Sequence, residues 1–335
     1  MTTIRQIAEM SGVSIATVSR IINGKGGASD ATIKKVQKVV NDLGYEPNFV
    51  AKTLSEQSSD VIAVLVPNLT NPFFAELVEH IEQAAQAQGY RVYLCDSEDD
   101  RSRVEYYLKF MEGIRVRGAI INSLFVSEED LNRLHQLGIT TLTIDRAQFS
   151  HPYSAMAVNH RSGSYKATAY LIEHGNCDRL IFVSGPEQDK SSSDRYAGYL
   201  QAVTEHNATA VAKVNASFSV ADGYKVVSAY LVEHKDVNGI VCADDAIALG
   251  ALRACADLGL RVPEDVRIIG YDNIQLSQYC VPRLSTVNQL PEDIGSIILD
   301  LFQETVDAGG APIKKVIEPH LVIRETSQAR SVEGV

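Results

Sequence analysis

Six short apolar runs in the 335-residue chain are each followed closely by side chains able to grip a polyhydroxylated molecule. Asn71, Phe73 and Phe74 come after "VIAVLVP", Asp145 and Arg146 after "TTLTI", and Arg195 beyond "LIFVSG". Phe218 follows "VAKVNA", Asp244 follows "GIVCA" and Asp272 follows "RIIGY". Carboxylates accept hydrogen bonds from vicinal hydroxyls, guanidinium groups donate to ring and hydroxyl oxygens, and aromatic faces cover an apolar C–H face. Three carboxylates against two arginines leave the group about one unit negative, which suits a neutral polyol better than a sugar phosphate or a purine. One feature points the other way. "KSSS", Lys190 to Ser193, falls at an expected helix N-terminus, where a phosphate could be held. A phosphorylated sugar or another metabolite is therefore the alternative ligand.

Groups that would transform such a ligand are not in view. No GxGxxG opens a strand-to-helix turn, and neither GxxxxGK[ST] nor GxSxG occurs. The eight histidines are isolated, and the five cysteines make no CxxC pair or metal-ligand spacing. Asp244 and Asp245 adjoin, but no general acid partner is evident. We expect no enzyme activity, no cofactor and no metal, and reduced thiols in a cytoplasmic protein. "MTTIRQIAEM" lacks the charged-then-apolar order of a signal peptide, and no run reaches membrane-spanning length.

Apolar runs and amphipathic helices must position these groups. From Asp60 onward strands alternate with helices: "VIAVLVP", the helix "FFAELVEHIEQAAQAQG", then "RVYLCD", "GAIIN" and "TTLTID". A similar series restarts near Ser162, with a helix to His174, "LIFVSG", a helix through Arg195, "VAKVNA", "GIVCAD" and "VRIIGYD". This is the pattern of two successive βα lobes with parallel sheets. The strand "LSTVN" and the helix "PEDIGSIILDLFQETV" are expected to return toward the first lobe. In open parallel sheets ligands bind beyond the carboxyl ends of the strands, where the positions above all fall.

The first sixty residues have a different character. The chain carries a net charge of −11, but residues 1–58 hold seven basic against five acidic residues, leaving −13 for the remainder. An acidic body repels a phosphate backbone, so contact with a polyanion is confined to this first segment. Ile4, Ile7 and Ala8 mark one helix capped by Thr2 or Thr3. Ser14 caps a second through about Ile22, and a third runs from Ser29 or Asp30 to Leu43, closed by Gly44. In a helix-turn-helix the second helix enters the major groove by its N-terminal end. Val13, Val18, Ile21 and Ile22 hold it to its neighbours, leaving Ile15, Ala16, Thr17, Ser19 and Arg20 outward. Arg20 can pair with guanine, Ile15 and Ala16 can touch a thymine methyl, and Thr17 and Ser19 suit phosphate oxygens.

"TIRQIAEMSGVSIATVSRIINGK", followed by "LGYEPNFVAKTLS", closely resembles the lactose/galactose (LacI/GalR) repressor family, and the likeness extends over nearly the whole chain. The resemblance implies an α/β fold: a small all-α helix-turn-helix headpiece (1–46), a hinge helix or linker (47–58), and a two-lobed parallel α/β core similar to periplasmic sugar-binding proteins (60–326). Lobe 1 would span about 60–159 and 289–319, lobe 2 about 160–287 and 320–326. By the same likeness Ile15, Ala16 and Arg20 read bases, and Thr17, Ser19 and Asn23 position the backbone. Leu54 is the wedge that opens a minor-groove step once the hinge folds on DNA. Phe49 stands where some relatives carry a basic residue, which removes a backbone contact there. The matching core positions line the interlobe cleft. The implied partners are pseudo-palindromic double-stranded operator DNA, a small sugar and a second copy of the chain, without a membrane. Effector closure would alter the spacing of the two hinge segments.

Overall fold

Three hydroxyl side chains start the first three helices. Thr3 Oγ1 accepts from the Gln6 amide while the Thr3 amide donates to Gln6 Oε1, opening α1 (Ile4–Ser11). Ser14 Oγ accepts from the Thr17 amide at 3.1 Å to open α2 (Ile15–Ile22), and Ser29 does the same through Thr32 for α3 (Asp30–Asp42). Gly12, at φ +66°, ends α1 in the left-handed region that a tight turn between helices needs. Ile7, Ala8, Val18 and Val36 are buried together, with Val13, Ile21, Ile22, Val40 and Leu43 packed around them. The structure is a computed structural model that describes residues 3–22, 26–45, 59–145, 153–309 and 311–328. The chain divides into two compact units, residues 1–59 and 60–335.

The larger unit begins with β1 (Val61–Val66), α4 (Pro72–Ala87), β2 (Arg91–Asp96), α5 (Arg101–Ile114), β3 (Gly118–Ile121), α6 (Glu128–Gln136), β4 (Thr140–Ile144) and β5 (Ser154–Val158). It continues with α7 (His160–Glu173), β6 (Arg179–Ser184), α8 (Lys190–Glu205), β7 (Thr209–Asn215), α9 (Val220–Glu233), β8 (Gly239–Cys242), α10 (Asp245–Asp257) and β9 (Arg267–Ile269). Last come β10 (Thr286–Asn288), α11 (Ile294–Asp307), β11 (Lys314–Ile317) and β12 (His320–Val322). One parallel sheet has the order β11-β5-β4-β3-β1-β2, and a second parallel sheet runs β7-β6-β8-β9. Val64 sits opposite Leu94 on one side and Ile120 on the other. β1, β3 and β8 are buried along their whole length, which is why they read as continuous apolar runs rather than alternating ones.

Several expectations need correcting. "LSTVN" does not return to the first lobe: β10 pairs antiparallel with β12, and Ser285 and Asn288 bridge to Ile269 and Asp272 of the second lobe. Ser285 is held there by Arg324 and Thr326, and Thr286 by Asp245. Only the following helix returns. Ile294, Ile298, Leu299 and Phe302 of α11 join the core of the first sheet. Gly295 is the point of closest approach, since a Cβ there would lie 2.0 Å from the His80 carbonyl on α4. The helix expected through Arg195 continues to Glu205, and the helix expected from Ser162 starts at His160. It starts there because Asn159 caps it, Oδ1 accepting from the Ser162 amide at 3.2 Å, directly after "SAMAV" forms the unassigned strand β5.

Candidate functional site

Two helix caps face each other across the lobes. Asn71 opens α4, its Oδ1 accepting from the Phe73 amide at 3.0 Å, while Asp244 opens α10, its Oδ1 accepting from the Ile247 amide at 2.7 Å. Each cap leaves one polar atom over, and these meet: Asn71 Nδ2 donates to Asp244 Oδ2 at 3.0 Å. Both bridging residues line a cavity of about 240 Å³. Pockets for drug-sized ligands run to roughly 300–1,000 Å³, so this one suits something smaller.

Eight of the nine core positions marked in the sequence line the cavity: Asn71, Phe73, Phe74, Asp145, Arg195, Phe218, Asp244 and Asp272. Arg146 lies outside the described residues, as do Asn23 and Leu54. Phe73 and Phe74 meet edge to face, with ring centroids 5.1 Å apart. Phe218 approaches the turn after β6 so closely that a Cβ on Gly185 would fall 2.3 Å from its ring. Asp145 and Asp272 end β4 and the β9 segment with φ of +56° and +116°. Backbone strain of this kind in non-glycine residues clusters where a side chain must be aimed. Asp145 is held by the Val158 amide at 3.0 Å, and Asp272 by a backbone bond to Val287 and the Gln289 side chain at 2.6 Å.

Arg195 is the central cation. Its Nε faces His160 Nδ1 at 3.3 Å, one terminal nitrogen donates to the Ala243 carbonyl, and the other lies 3.4 Å from Gln289 Oε1 and 3.9 Å from Asp272. The guanidinium carbon also sits 3.9 Å from the centre of the Tyr271 ring. Burial opposes the charge, but Asp272, Tyr271, Asp145 and Asp189 outweigh it and hold the guanidinium above its ordinary value.

The carboxylates do not share one state. Burial pushes Asp244 up to about 6, against the pull of the Ile247 amide, Arg195 and Asn71. It pushes Asp272 well above the carboxylate range, with Arg195 opposing and Asp244, Asp245 and Asp145 adding repulsion. Asp145 goes the other way: burial works to raise it, yet His160, the Val158 amide and Arg195 together keep it low. The cavity thus sets Asp145, held toward its ionised form, beside Asp244 and Asp272, which burial biases toward protonation.

Sequence reasoning missed Asp99, Asp189 and Gln289, which also line the cavity. Gln289 comes directly after β10, which pairs antiparallel with β12, so the strand-end rule for parallel sheets does not reach it. Asp189 caps α8 by accepting from the Ser192 amide at 2.9 Å. Its carboxylate occupies the helix N-terminus where a phosphate was considered, and Lys190 pairs with Asp194 instead. Among the described lining residues there are five carboxylates and one guanidinium, a surrounding hostile to an anion.

In the small unit Ile15, Ala16 and Arg20 are exposed on α2, while Thr17 and Ser19 are half-buried, with Thr17 Oγ1 2.8 Å from Ser14 Oγ. Among the described residues no group of His, Cys, Asp and Glu could hold a metal ion, and no helix is long and apolar enough to cross a membrane.

Residues 3–48 match the family described as bacterial regulatory proteins, lacI family, and residues 168–327 match the periplasmic binding protein-like domain. The ribose operon repressor of Halalkalibacterium halodurans is 32% identical over 329 residues, 98% of each chain. The chain belongs to the lacI family of bacterial regulatory proteins. Among solved structures, the lac repressor dimer bound to operator and the anti-inducer ONPF resembles this lacI-family chain with a TM-score of 0.86. The two are 25% identical, over 98% of this chain and 99% of that one. A LacI-family transcriptional regulator from Enterococcus faecium with bound ribose gives a TM-score of 0.73 at 26% identity, over 80% of this chain and 98% of that one.

Proposed function

We propose that this lacI-family chain is a sequence-specific DNA-binding repressor, acting in the cytoplasm as a homodimer on pseudo-palindromic operator DNA, and that a small neutral sugar between its lobes changes its operator affinity. Ile15, Ala16 and Arg20 read base edges in the major groove; Thr17, Ser19 and Asn23 set the register on the backbone; Leu54 wedges the minor groove. The sugar is bound and released unchanged. The observation that carries the effector reading is the cavity of about 240 Å³ on which Asn71, Asp145, Arg195, Asp244 and Asp272 converge with four phenylalanines, Phe73, Phe74, Phe125 and Phe218. Its five carboxylates around one described guanidinium favour hydroxyl donors over phosphate. The relatives named for a ribose operon and holding bound ribose support a pentose.

The sugar shifts operator affinity only by as much as it prefers one lobe arrangement over the other, and the coupling is reciprocal. The test starts by selecting an operator from random duplexes with the full chain. Operator retardation and thermal unfolding are then followed against free and phosphorylated sugars. We expect free D-ribose or a close pentose to raise the unfolding midpoint and to change operator affinity. A protein stabilised only by phosphorylated sugars would overturn the neutral-ligand reading, and indifference among duplexes would overturn the repressor reading.

A further inference from the structure

One buried histidine touches both walls of the cleft without lining it. His160 is the first residue of α7, immediately after the chain has left β5 of the first sheet and entered the second lobe. It is 4% exposed and is not among the residues bordering the cavity. Its Nε2 lies 2.8 Å from Asp145 Oδ2, at the end of β4 in the first lobe. Its Nδ1 lies 3.3 Å from Arg195 Nε, on α8 of the second lobe, and 3.2 Å from the Tyr271 hydroxyl. Asp145 and Arg195 do border the cavity.

The chemistry of the partners fixes the ring. Arg195 Nε can only donate, so Nδ1 must accept, and the ring proton is on Nε2, where Asp145 accepts it. One imidazole thereby joins a carboxylate of one lobe to the guanidinium of the other. The remaining freedom of Asp145 is small, because its other oxygen already takes the Val158 amide. Other charged or titratable groups facing this cluster are Tyr271, whose ring also carries the guanidinium, and Asp272 beside Arg195.

We propose that His160 is a positioning residue for the effector: through its two nitrogens it sets the separation of Asp145 and Arg195, so that both reach one bound molecule and the lobes are tied at the cleft floor. The proposal rests on the effector reading above, and its test keeps the two apart. The first measurement needs no ligand. In the full chain labelled with nitrogen-15, the His160 ring should carry its proton on Nε2 and not Nδ1, and Asp145→Asn should alter that signal more than substitutions elsewhere on β4 or on α7. A ring protonated on Nδ1 overturns the proposal, whatever the effector proves to be.

The second measurement is calorimetric titration with D-ribose as the probe and a panel of neutral pentoses and hexoses behind it. His160→Leu should weaken binding at least tenfold, and His160→Gln, which keeps a donor and an acceptor, should recover part of the loss. His160→Leu combined with Asp145→Asn should bind no more weakly than the worse single variant, because the two changes break one connection. Additive losses, or a His160→Leu variant that binds as the wild type does, overturn the proposal. If the wild-type chain binds none of the sugars, the effector reading falls and the ring-proton measurement decides for His160.

Discussion

The recognition surface of α2 and the floor of the cleft follow opposite designs. On α2 the base-facing candidates Ile15, Ala16 and Arg20 stand exposed on a unit in which, among the described residues, Ile7, Ala8, Val18 and Val36 are the buried apolar ones. Each can be exchanged with little consequence for its neighbours. In the cleft Arg195, Asp272, Asp244 and Asn71 are all buried, and each is a hydrogen-bond or charge partner of another. The first surface must present a pattern to a large external partner. The second must enclose a small one, and enclosure forces polar groups out of water, where they survive only by satisfying one another. Specificity and stability are thus separable on α2 and inseparable in the cleft.

The sharpest way to break that contrast is Arg195→Met. Removing the cation leaves Asp272, Asp145 and Asp244 buried without their positive partner, and the loss of one member of a buried pair costs roughly 3–5 kcal/mol. Denaturant unfolding of the full chain should show that loss in the core transition together with loss of sugar response. A variant as stable as the wild type would mean that the cleft residues are as independent as those on α2.

A second probe uses Asp244 and pH. Its folded-state value is raised from 3.8 to about 6, so its contribution to stability is fully present below 3.8 and is lost as pH rises through about 6. Asp244→Asn has no such titration. Between pH 4 and 7.5 the wild type should therefore lose stability relative to the variant, by about 3 kcal/mol at most for a shift of this size. The two proteins are unfolded with urea at both ends of that range. An unchanged difference would show Asp244 to be solvated, and the cleft wider in solution than the Asn71 bridge allows.

How much of this was legible in the sequence divides along the same line. α2 could be read nearly residue by residue, because a capped helix with an apolar stripe is a local object: Ser14, Val18 and Ile21 act within one turn or two of each other. In the core, strand ends pointed to Asn71, Asp145, Asp244 and Asp272, since a parallel sheet aims one end of every strand at the same place. What stayed hidden depended on contacts far apart in the chain. Gln289 takes its place from Asp272 and Arg195, and His160 from Asp145 and Arg195, while the strand ahead of His160, "SAMAV", has one β-branched residue and carries little β signal. The course of "LSTVN" was misread for the same reason, its anchors being Asp245, Arg324 and Thr326.

Arg20→Ala tests the other half of the contrast. Arg20 is exposed, so stability should not move, whereas a lost bidentate contact to guanine is worth about 1–3 kcal/mol, or roughly 5- to 150-fold in operator affinity. Relaxed preference at a single operator position, measured by retardation of substituted duplexes, would identify the base it reads. Uniform weakening across all duplexes would make it a phosphate contact instead.

The smallest effect expected is at Ser14, and it asks whether α2 is as self-sufficient as its exposure implies. Ser14 Oγ satisfies the Thr17 amide and sits 2.8 Å from Thr17 Oγ1, so Ser14→Ala leaves one helix-terminal donor to water and costs about 1 kcal/mol. In a unit whose described residues bury four apolar side chains that is a large share of the whole. Amide exchange in α2 should quicken roughly fivefold, while exchange at Leu171 on α7, in the other unit, stays as it was. Ser14→Asp, which restores an acceptor at the helix N-terminus, should return the α2 rates to those of the wild type. If the alanine change leaves α2 untouched, the turn at Gly12 and the packing of Val18 suffice to hold the helix, and the hydroxyl at Ser14 serves the duplex rather than the fold.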